Sequence, residues 1–267
     1  MDLAEEYNAG SSSLELARKY GLTKRAVLYR LRKQGVKRRT TSQALRRFTV
    51  NEAAFQGINC ESTAYWLGFL LADGAISCTG RFSRARQLRC TLQERDLQHL
   101  EMLRTWLCST HPIKYLPDKK AYLLSITSKR LVEPLEAASW HEFKRFGHTA
   151  ILEITPSNLQ RHLIRGLIDG DGTIGYYLGR WIIGYIDLHE TVVKWVQSWF
   201  IRNCNTKPVK LRRPSQAFQF QYNGNIQAPR IIYHLYANAA VALSRKSERA
   251  AKAIQLHLSR LSSKNPS

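Results

Sequence analysis

Apolar and polar positions follow a helical period at the start of the chain. A segment from about Ser13 to Tyr20 keeps its apolar residues on one face, and Ser13 can cap its N-terminus. A second segment begins at Thr23, which is also a suitable N-cap, and runs to Lys33. Gly35 follows it, and glycine commonly ends helices. The pattern therefore predicts two short helices joined by a tight turn.

After residue 60 the pattern alternates between strand-like and helical runs, and it does so twice. The strand-like runs of the first half are 75–78, 87–93, 113–116 and 121–127. Those of the second half are 173–178, 181–185, 209–212, 217–222 and 231–236, one more than in the first half. The strand order of the second half therefore stays open. Each half is predicted to be α-β-β-α-β-β-α, which makes the whole an α+β fold.

A short sequence opens each half and is repeated. Residues 63–74 read TAYWLGFLLADG, and residues 161–172 read RHLIRGLIDGDG. Asp73 aligns with Asp171 at an offset of 98 residues. Three further pairs match at that offset, Gly68 with Gly166, Ala72 with Gly170, and Gly74 with Gly172. One apolar run ending in Asp-Gly is often only a helix followed by a turn, whereas two matched copies indicate a duplicated functional unit.

Each copy of the motif is predicted to be a helix that packs against the other copy. Small residues four positions apart share one face of a helix and allow two backbones to approach closely. The residues predicted at this interface are Gly68, Ala72, Gly166 and Gly170. Gly74 and Gly172 would take the left-handed conformation that turns the chain into the following strand.

Asp73 and Asp171 would emerge side by side at the end of this helix pair. A helix C-terminus carries partial negative charge, and two neighbouring carboxylates repel each other or share a proton. A divalent cation relieves both problems, and oxygen ligands favour Mg²⁺ over zinc. A metal held between two acids can support hydrolysis of a phosphodiester. The two aspartates are therefore the predicted catalytic and metal-binding pair.

Composition adds a polyanionic partner to this picture. The 267 residues include 41 Lys and Arg against 20 Asp and Glu, a net charge of +21. Such a surface repels itself unless a polyanion binds it, so nucleic acid is the first interpretation and an anionic membrane the second. No apolar stretch reaches the roughly 18 residues that a membrane span needs. The N-terminus lacks the apolar region of a signal peptide.

The cysteines and histidines predict a reducing compartment. The five cysteines form no CxxC, and the eight histidines show no zinc-ligand spacing, so neither a disulfide framework nor a zinc site is expected. The cytoplasm or nucleoid of a prokaryote or phage-infected cell fits, as does an organellar matrix.

The two N-terminal helices resemble a helix-turn-helix of the resolvase or homeodomain-like kind. Ala17, Gly21 and Val27 supply the small contact residue, the turn glycine and the branched apolar residue that two crossing helices need. From Arg18 to Arg47 there are twelve Lys or Arg and no acid. The residues expected to contact DNA from the second helix are Lys24, Arg25, Tyr29, Arg32 and Lys33. The alternative is an ordinary helical hairpin with a solvated basic face.

The duplicated motif resembles that of the monomeric, double-motif LAGLIDADG homing endonucleases. The likeness covers residues 61–262, and the second copy of the motif is a close match. The first copy departs from the family pattern at Leu71, a position that often carries an acid. The resemblance implies two saddle-shaped halves with four-stranded antiparallel sheets that bind double-stranded DNA in the major groove. It also implies a double-strand break that requires Mg²⁺ or Mn²⁺, with Asp73 and Asp171 as the catalytic acids. The expected organisation is a helix-turn-helix over 1–40, a basic linker over 41–60, and halves over 61–155 and 156–262.

Polar residues on the predicted strands are candidates for reading base edges, because Arg and Gln suit guanine and adenine. They are Gln87, Arg89 and Thr91 in the first half and Lys210, Arg212, Gln219 and Gln221 in the second. Family members often place a Lys or Gln near the scissile phosphates, and Gln93 and Lys129 are the candidates for that role. Asp169, beside the end of the second motif, is expected to be structural.

The main alternative is a nucleic-acid binder of the same fold that does not cleave DNA. It would be a transcription regulator or a maturase that binds intron RNA. A regulator would be expected to lose the acids, and both are present here, so cleavage is favoured. A maturase could keep them, so a dual role stays open. The chain lacks the splicing residues of an intein, which favours a freestanding or intron-encoded protein.

Overall fold

The computed structural model describes residues 2–8, 10–38, 48–79 and 85–262. The chain divides into two compact units, Met1–Thr49 and Val50–Ser267. The predicted linker, 41–60, lies partly outside the described residues. At its far end Phe55 is buried in the core of the second unit, with its ring 5.3 Å from that of Trp106.

Three short helices form the first unit, α1 (Leu3–Asn8), α2 (Ser13–Lys19) and α3 (Lys24–Lys33). Thr23 caps α3 as predicted, whereas the cap of α2 is Ser12, which forms a reciprocal capping box with Glu15. Gly21 has a φ of +61°, a left-handed conformation that suits glycine in the turn between α2 and α3. The buried core of the unit consists of Leu3, Tyr7, Leu16, Ala17, Val27 and Leu31.

Helix α1 was not expected from the sequence, because its six residues place only two large apolar side chains against the unit. Its Glu6 accepts hydrogen bonds from Lys19 Nζ at 2.8 Å and from Tyr20 at 2.7 Å. These contacts join α1 to the end of α2. The first unit is therefore a three-helix body.

The first half of the second unit contains a four-stranded antiparallel sheet of order β1-β2-β4-β3. Its helices are α4 (Glu61–Asp73), α5 (Leu97–Trp106), α6 (Lys129–Ala137), α7 (Trp140–Phe146) and α8 (Ala150–Glu153). Its strands are β1 (Gly74–Thr79), β2 (Ala85–Gln93), β3 (Ile113–Leu116) and β4 (Ala121–Thr127). Two short 3₁₀ turns, Glu94–Asp96 and Pro117–Lys119, connect them. The strand-helix-strand order follows the sequence prediction.

The second half repeats this plan with a smaller antiparallel sheet of order β5-β6-β7. Its helices are α9 (Gln160–Asp171), α10 (Glu190–Cys204), α11 (Gln227–Tyr236) and α12 (Ser244–Ser262). Its strands are β5 (Gly172–Tyr177), β6 (Arg180–Asp187) and β7 (Phe218–Asn223). The described part of the chain thus has the predicted α+β architecture, with two sheets of four and three strands.

Two of the five strand-like runs of the second half are not strands. Residues 209–212 contribute only an isolated bridge between Arg212 and Gln219. The run 231–236 lies in helix α11, where Ala228, Ile231, Ile232 and Leu235 are buried at helical spacing. A short apolar run cannot be assigned to helix or strand by its composition, so packing decided this element.

The two motif helices, α4 and α9, pack against each other through their small residues. A Cβ added to Gly68 would lie well inside 3.0 Å of the backbone of Leu163. The same is true of Gly166 against Tyr65, and of Gly170 against the side chain of Ala72. The interface residues Gly68, Ala72, Gly166 and Gly170 therefore lie where the two backbones meet.

Buried side chains run continuously across both halves. In β2 the buried residues are Leu88, Cys90 and Leu92, so the residues between them face the opposite side of the sheet. Helices α4 and α9 are buried over most of their length. Among the described residues, no helix is long and apolar enough to span a membrane.

We expect Gly68→Ala to lower the free energy of unfolding of the second unit by about 3 kcal/mol, because the methyl group would overlap a backbone that cannot move away independently. Urea unfolding followed by tryptophan fluorescence measures it, since all six tryptophans lie beyond residue 60. Gly57→Ala is the matched control, because a Cβ there meets nothing within 4 Å. Equal stabilities of the two variants would contradict close backbone packing.

Candidate active site at the ends of the motif helices

Asp73 and Asp171 are the last residues of α4 and α9, and both are exposed. An Oδ2 atom of Asp73 lies 3.3 Å from the position of a Cβ on Gly170, one residue before Asp171. The two acids therefore emerge at the same end of the helix pair.

The glycines that follow the acids are not left-handed, contrary to the sequence prediction. Gly74 has a φ of −87° and Gly172 a φ of −93°, both with extended ψ values. Their physical role is close approach instead. A Cβ on Gly172 would lie 2.6 Å from the carbonyl oxygen of Ile168, and Gly74 is similarly close to Leu70. Glycine thus lets each strand start directly against the last turn of its helix.

The carboxyl groups are partly desolvated by the protein around them. This desolvation raises the pKa of Asp73, although the ammonium groups of Lys246 and Lys144 oppose the rise. Desolvation and, next, the charge of Asp73 raise the pKa of Asp171 to about 6. The ionised pair is therefore costly, and a bound cation would relieve it.

Two lysines lie at the ends of the motif helices, and the sequence analysis missed both. Lys144, on α7, donates to the carbonyl oxygens of Leu71 at 2.8 Å and Ala72 at 3.0 Å. Lys246, on α12, donates to Ile168 at 2.5 Å and Asp169 at 2.8 Å, and also to Gly172. Each lysine thus satisfies carbonyl groups that a helix C-terminus leaves without partners, and its charge favours the negative end of the helix.

The two lysines differ in exposure. Lys246 is 2% exposed and is enclosed by its three carbonyl partners, and burial lowers its pKa to about 8. Lys144 is exposed on the same side as Asp171. Desolvation lowers the pKa of Lys144, and the charges of Asp171 and Asp187 oppose that effect. Only Lys144 can therefore leave its carbonyl partners for a ligand without opening the core.

A cleft of about 380 Å³ adjoins Asp171 and contains a third acid, Asp187. Asp187 accepts hydrogen bonds from the backbone N–H of His189 at 2.7 Å and from the hydroxyl of Tyr185 at 3.2 Å. In each half, the equivalent position lies two residues after the strand partner of the glycine that follows the motif acid. It is Asp187 in the second half, after Tyr185, and Leu92 in the first half, after Cys90. The surroundings of the two motif acids are therefore unequal.

Asp169 is fully buried and joins the two halves, as its expected structural role requires. Its carboxylate accepts hydrogen bonds at 2.7 Å from the hydroxyls of Tyr65 and Tyr236 and from the backbone N–H of Leu243. One turn earlier on α9, the buried Arg165 donates to Glu61, the first residue of α4, at 2.6 Å. These contacts hold α4 and α9 in one register.

Gln93 ends strand β2, whereas Lys129 is the first residue of helix α6, after strand β4. Gln93 is exposed at the end of β2, on the same face as Arg89 and Thr91. Lys129 comes two residues after Thr127, which pairs with Gln87 of β2. Gln87 lies three residues before Cys90, the strand partner of Gly74. Lys129 therefore lies nearer the β1–β2 hairpin than Asp73 does. Its ammonium pairs with Glu133 at 3.1 Å. The largest charge effects on the pKa of Asp73 come from Lys246 and Lys144, followed by Asp96 and Arg245.

The other candidate residues are accessible. Lys24, Arg25, Tyr29, Arg32 and Lys33 are all exposed on α3. Arg89 and Thr91 are exposed and Gln87 is half-buried, with its side chain 3.3 Å from the hydroxyl of Thr127. Gln219 and Gln221 are half-buried on β7, while Lys210 and Arg212 are exposed outside the regular strands.

The donor set fits a hard divalent cation that takes part of its ligands from a substrate. Among the described side chains, no group of three or more His, Cys, Asp and Glu is arranged to hold a metal. Mg²⁺, however, commonly binds one or two carboxylates and completes its shell with water and phosphate oxygens. Asp73 and Asp171 could supply the two carboxylates.

We expect Asp171→Asn to stabilise the protein at neutral pH when no divalent metal is present. The Asp171 carboxyl binds its proton more tightly in the folded chain, with a pKa of about 6 against an ordinary 3.8, so stability falls as the pH rises through that interval. Thermal unfolding should show a gain for the asparagine variant above about pH 6 that disappears near pH 4. Asp118→Asn, at an exposed turn, is the control. A gain that does not depend on pH would contradict this assignment.

The architecture is similar to that of solved LAGLIDADG homing endonucleases. The meganuclease I-SmaMI bound to uncleavable DNA is 12% identical, with 78% of this chain and 93% of that chain covered and a TM-score of 0.53. I-GzeII in complex with its DNA target is 12% identical, with coverages of 77% and 93% and a TM-score of 0.51. No family pattern and no curated protein matches the sequence. The comparison confirms the predicted fold: the chain has the LAGLIDADG homing-endonuclease fold.

Proposed function

We propose that this protein is a site-specific DNA endonuclease that hydrolyses one phosphodiester bond in each strand of a duplex. The observation that carries the proposal is the convergence of Asp73 and Asp171 at one end of the packed motif helices, with Lys144 beside them. The structural neighbours I-SmaMI and I-GzeII were solved with bound DNA, and a chain of net charge +21 suits the same partner. Both motifs belong to one chain, so the proposed active form is a monomer.

Asp73 and Asp171 would hold Mg²⁺ or Mn²⁺ together with phosphate oxygens of the DNA. A metal ion in such a site activates water and stabilises the leaving oxygen. The raised pKa values of both acids support this role, because binding a cation offsets the repulsion between the carboxylates. Close helix packing holds both acids in position before the substrate binds.

Lys144 is our choice for the cation that contacts a scissile phosphate, in preference to Lys129. Lys144 is an exposed residue and lines the same cleft as Asp171 and Asp187. Lys129 instead pairs with Glu133 and lies nearer the hairpin. Gln93 shares the exposed face of β2, so we propose a contact with the DNA backbone for it.

Base recognition is assigned to the faces of the two sheets opposite the buried core. The residues proposed for it are Gln87, Arg89, Thr91, Lys210, Arg212, Gln219 and Gln221. The halves, residues 61–155 and 156–262, would each read one side of the cut. The first unit would extend the footprint through the exposed residues of α3.

The direct test is cleavage of the DNA that flanks the gene, joined as if the coding element were absent. Asp73→Asn and Asp171→Asn should each reduce the Mg²⁺-dependent linear product on the order of a thousandfold, since each removes a ligand of an ion worth several kcal/mol to the reaction. EDTA should abolish cleavage by the parent protein, and Asp118→Asn should cut like the parent. Cleavage at the parent rate by both motif variants would sink the proposal. Tight binding without a cut would favour the maturase or regulator, with RNA as the next substrate.

Lys144→Met should slow cleavage about a hundredfold while DNA affinity and thermal stability change little, because water can solvate the carbonyl groups that this exposed lysine leaves. Lys246→Met should lower the free energy of unfolding by about 3 kcal/mol, because it leaves three carbonyl groups without their charged donor. Single-turnover cleavage and urea unfolding measure the two effects. Lys194→Met, at an exposed ion pair on α10, is the control. Unchanged cleavage by Lys144→Met would exclude the phosphate role.

The DNA-binding role of the first unit is tested by the double variant Lys24→Ala, Arg25→Ala. Affinity for a long duplex should fall. The magnitude of the slope of log affinity against log salt should also decrease by about two, because a protein with two fewer phosphate contacts releases fewer counterions when it binds. Lys194→Ala, Lys207→Ala removes the same charge from exposed positions on α10 and in the loop after it, and serves as the control. An identical salt slope for both double variants would leave α3 without a role in DNA binding.

A further inference from the structure

A second cleft, of about 660 Å³, lies between the β5–β6 hairpin and α12. It opens on the side of the sheet opposite the proposed base-reading residues. Trp181, which lines it, shares a sheet face with the buried Ile183 and Tyr185, because alternate residues of a strand point the same way. Gln219 and Gln221 alternate with the buried Phe220 and therefore face the other side.

Aromatic rings form one wall of this cleft. Tyr176 is 60% exposed, and its ring centroid lies 5.0 Å from that of Trp181, which is buried. The backbone N–H of Trp181 donates to the side chain of Asn225, whose amide in turn donates to Gly179, so the hairpin that carries the rings is braced. A flat, solvent-accessible ring is thus presented by a fixed support.

Cationic side chains of α12 form the other wall. Arg249 donates to the carbonyl oxygen of Ile174 at 2.9 Å, which holds its guanidinium at the edge of β5. Lys252, one turn further along α12, is exposed and lines the same cleft. The residues that line the cleft include no acid, and α12 carries five Lys and Arg against the single acid Glu248. An anion would therefore be favoured beside the rings.

We propose that this cleft binds a nucleotide of a single-stranded nucleic acid, with the base stacked on Tyr176 and its phosphates at Lys252 and Arg249. An exposed aromatic ring next to cations is the arrangement by which proteins bind unpaired bases and the backbone that carries them. A duplex keeps its bases stacked inside and would use the cations but not the ring. The site is separate from the motif acids and does not depend on the proposed cleavage activity.

The test uses the full chain in EDTA, so that no DNA is cut, and measures fluorescence anisotropy of short labelled RNA, single-stranded DNA and duplex DNA. Tyr176→Ala should weaken single-strand binding about tenfold, the effect of losing one stacked base. Tyr176→Phe should retain it, because the ring and not the hydroxyl makes the contact. Affinity for the duplex should be unchanged by both. Tyr115→Ala is the control, because this tyrosine of β3 is also exposed but lies in the first sheet, on the core-side face that Leu92 shares.

Equal single-strand affinities for Tyr176→Ala and Tyr115→Ala, with both proteins shown to be folded by thermal unfolding, would overturn the proposal. So would an equal loss of single-strand and duplex affinity, since that would indicate a general effect on charge or folding. Tighter binding of RNA than of DNA would identify RNA as the natural ligand, whereas equal binding would indicate unpaired strands of either kind. Neither result depends on whether Mg²⁺-dependent cleavage is observed, so this site and the nuclease can fail separately.

Discussion

The close approach of α4 and α9 is the constraint on which the rest of the second unit depends. At Gly68, Gly166 and Gly170 the backbones are so near that a single added methyl group would overlap the other helix. Close contact of this kind fixes both the distance and the rotation of two helices. Asp73 and Asp171 are the last residues of these helices, so the same packing that builds the core also sets the spacing of the two carboxylates. Core and candidate site cannot vary independently here.

Buried polar contacts make this interface specific. Asp169 binds a tyrosine from each half, and Arg165 reaches Glu61 across the helix pair. Arg245 of α12 also pairs with Asp96 of the first half at 3.0 Å. A shift of one helix along the other would leave these buried groups without partners, which costs far more than a lost surface contact. Apolar packing supplies the affinity between the halves, and these bonds supply the register.

The duplication is only approximate where the chemistry is concentrated. A lysine from another helix binds the last carbonyl groups of each motif helix, but Lys246 is enclosed and Lys144 is accessible. Asp187 lies beside Asp171, whereas Leu92 holds the equivalent strand position in the first half. The second sheet also has three strands where the first has four. The two carboxylates therefore experience different fields, as the rise of the Asp171 pKa to about 6 indicates. Two DNA strands in such a site would meet unequal surroundings.

The sequence alone determined the two halves, the motif helices, their small-residue contact face and the two acids, because a repeat and a helical period are local and can be read without distances. It did not determine the lysines, which follow their acids by more than 70 residues and belong to no pattern. Nor could it decide that residues 231–236 are helical or that Gly74 is extended. Those outcomes depend on what each segment meets in the folded chain. Only the tertiary structure brings Lys144, Asp171 and Asp187 to one cleft, because their proximity arises from packing between separate elements.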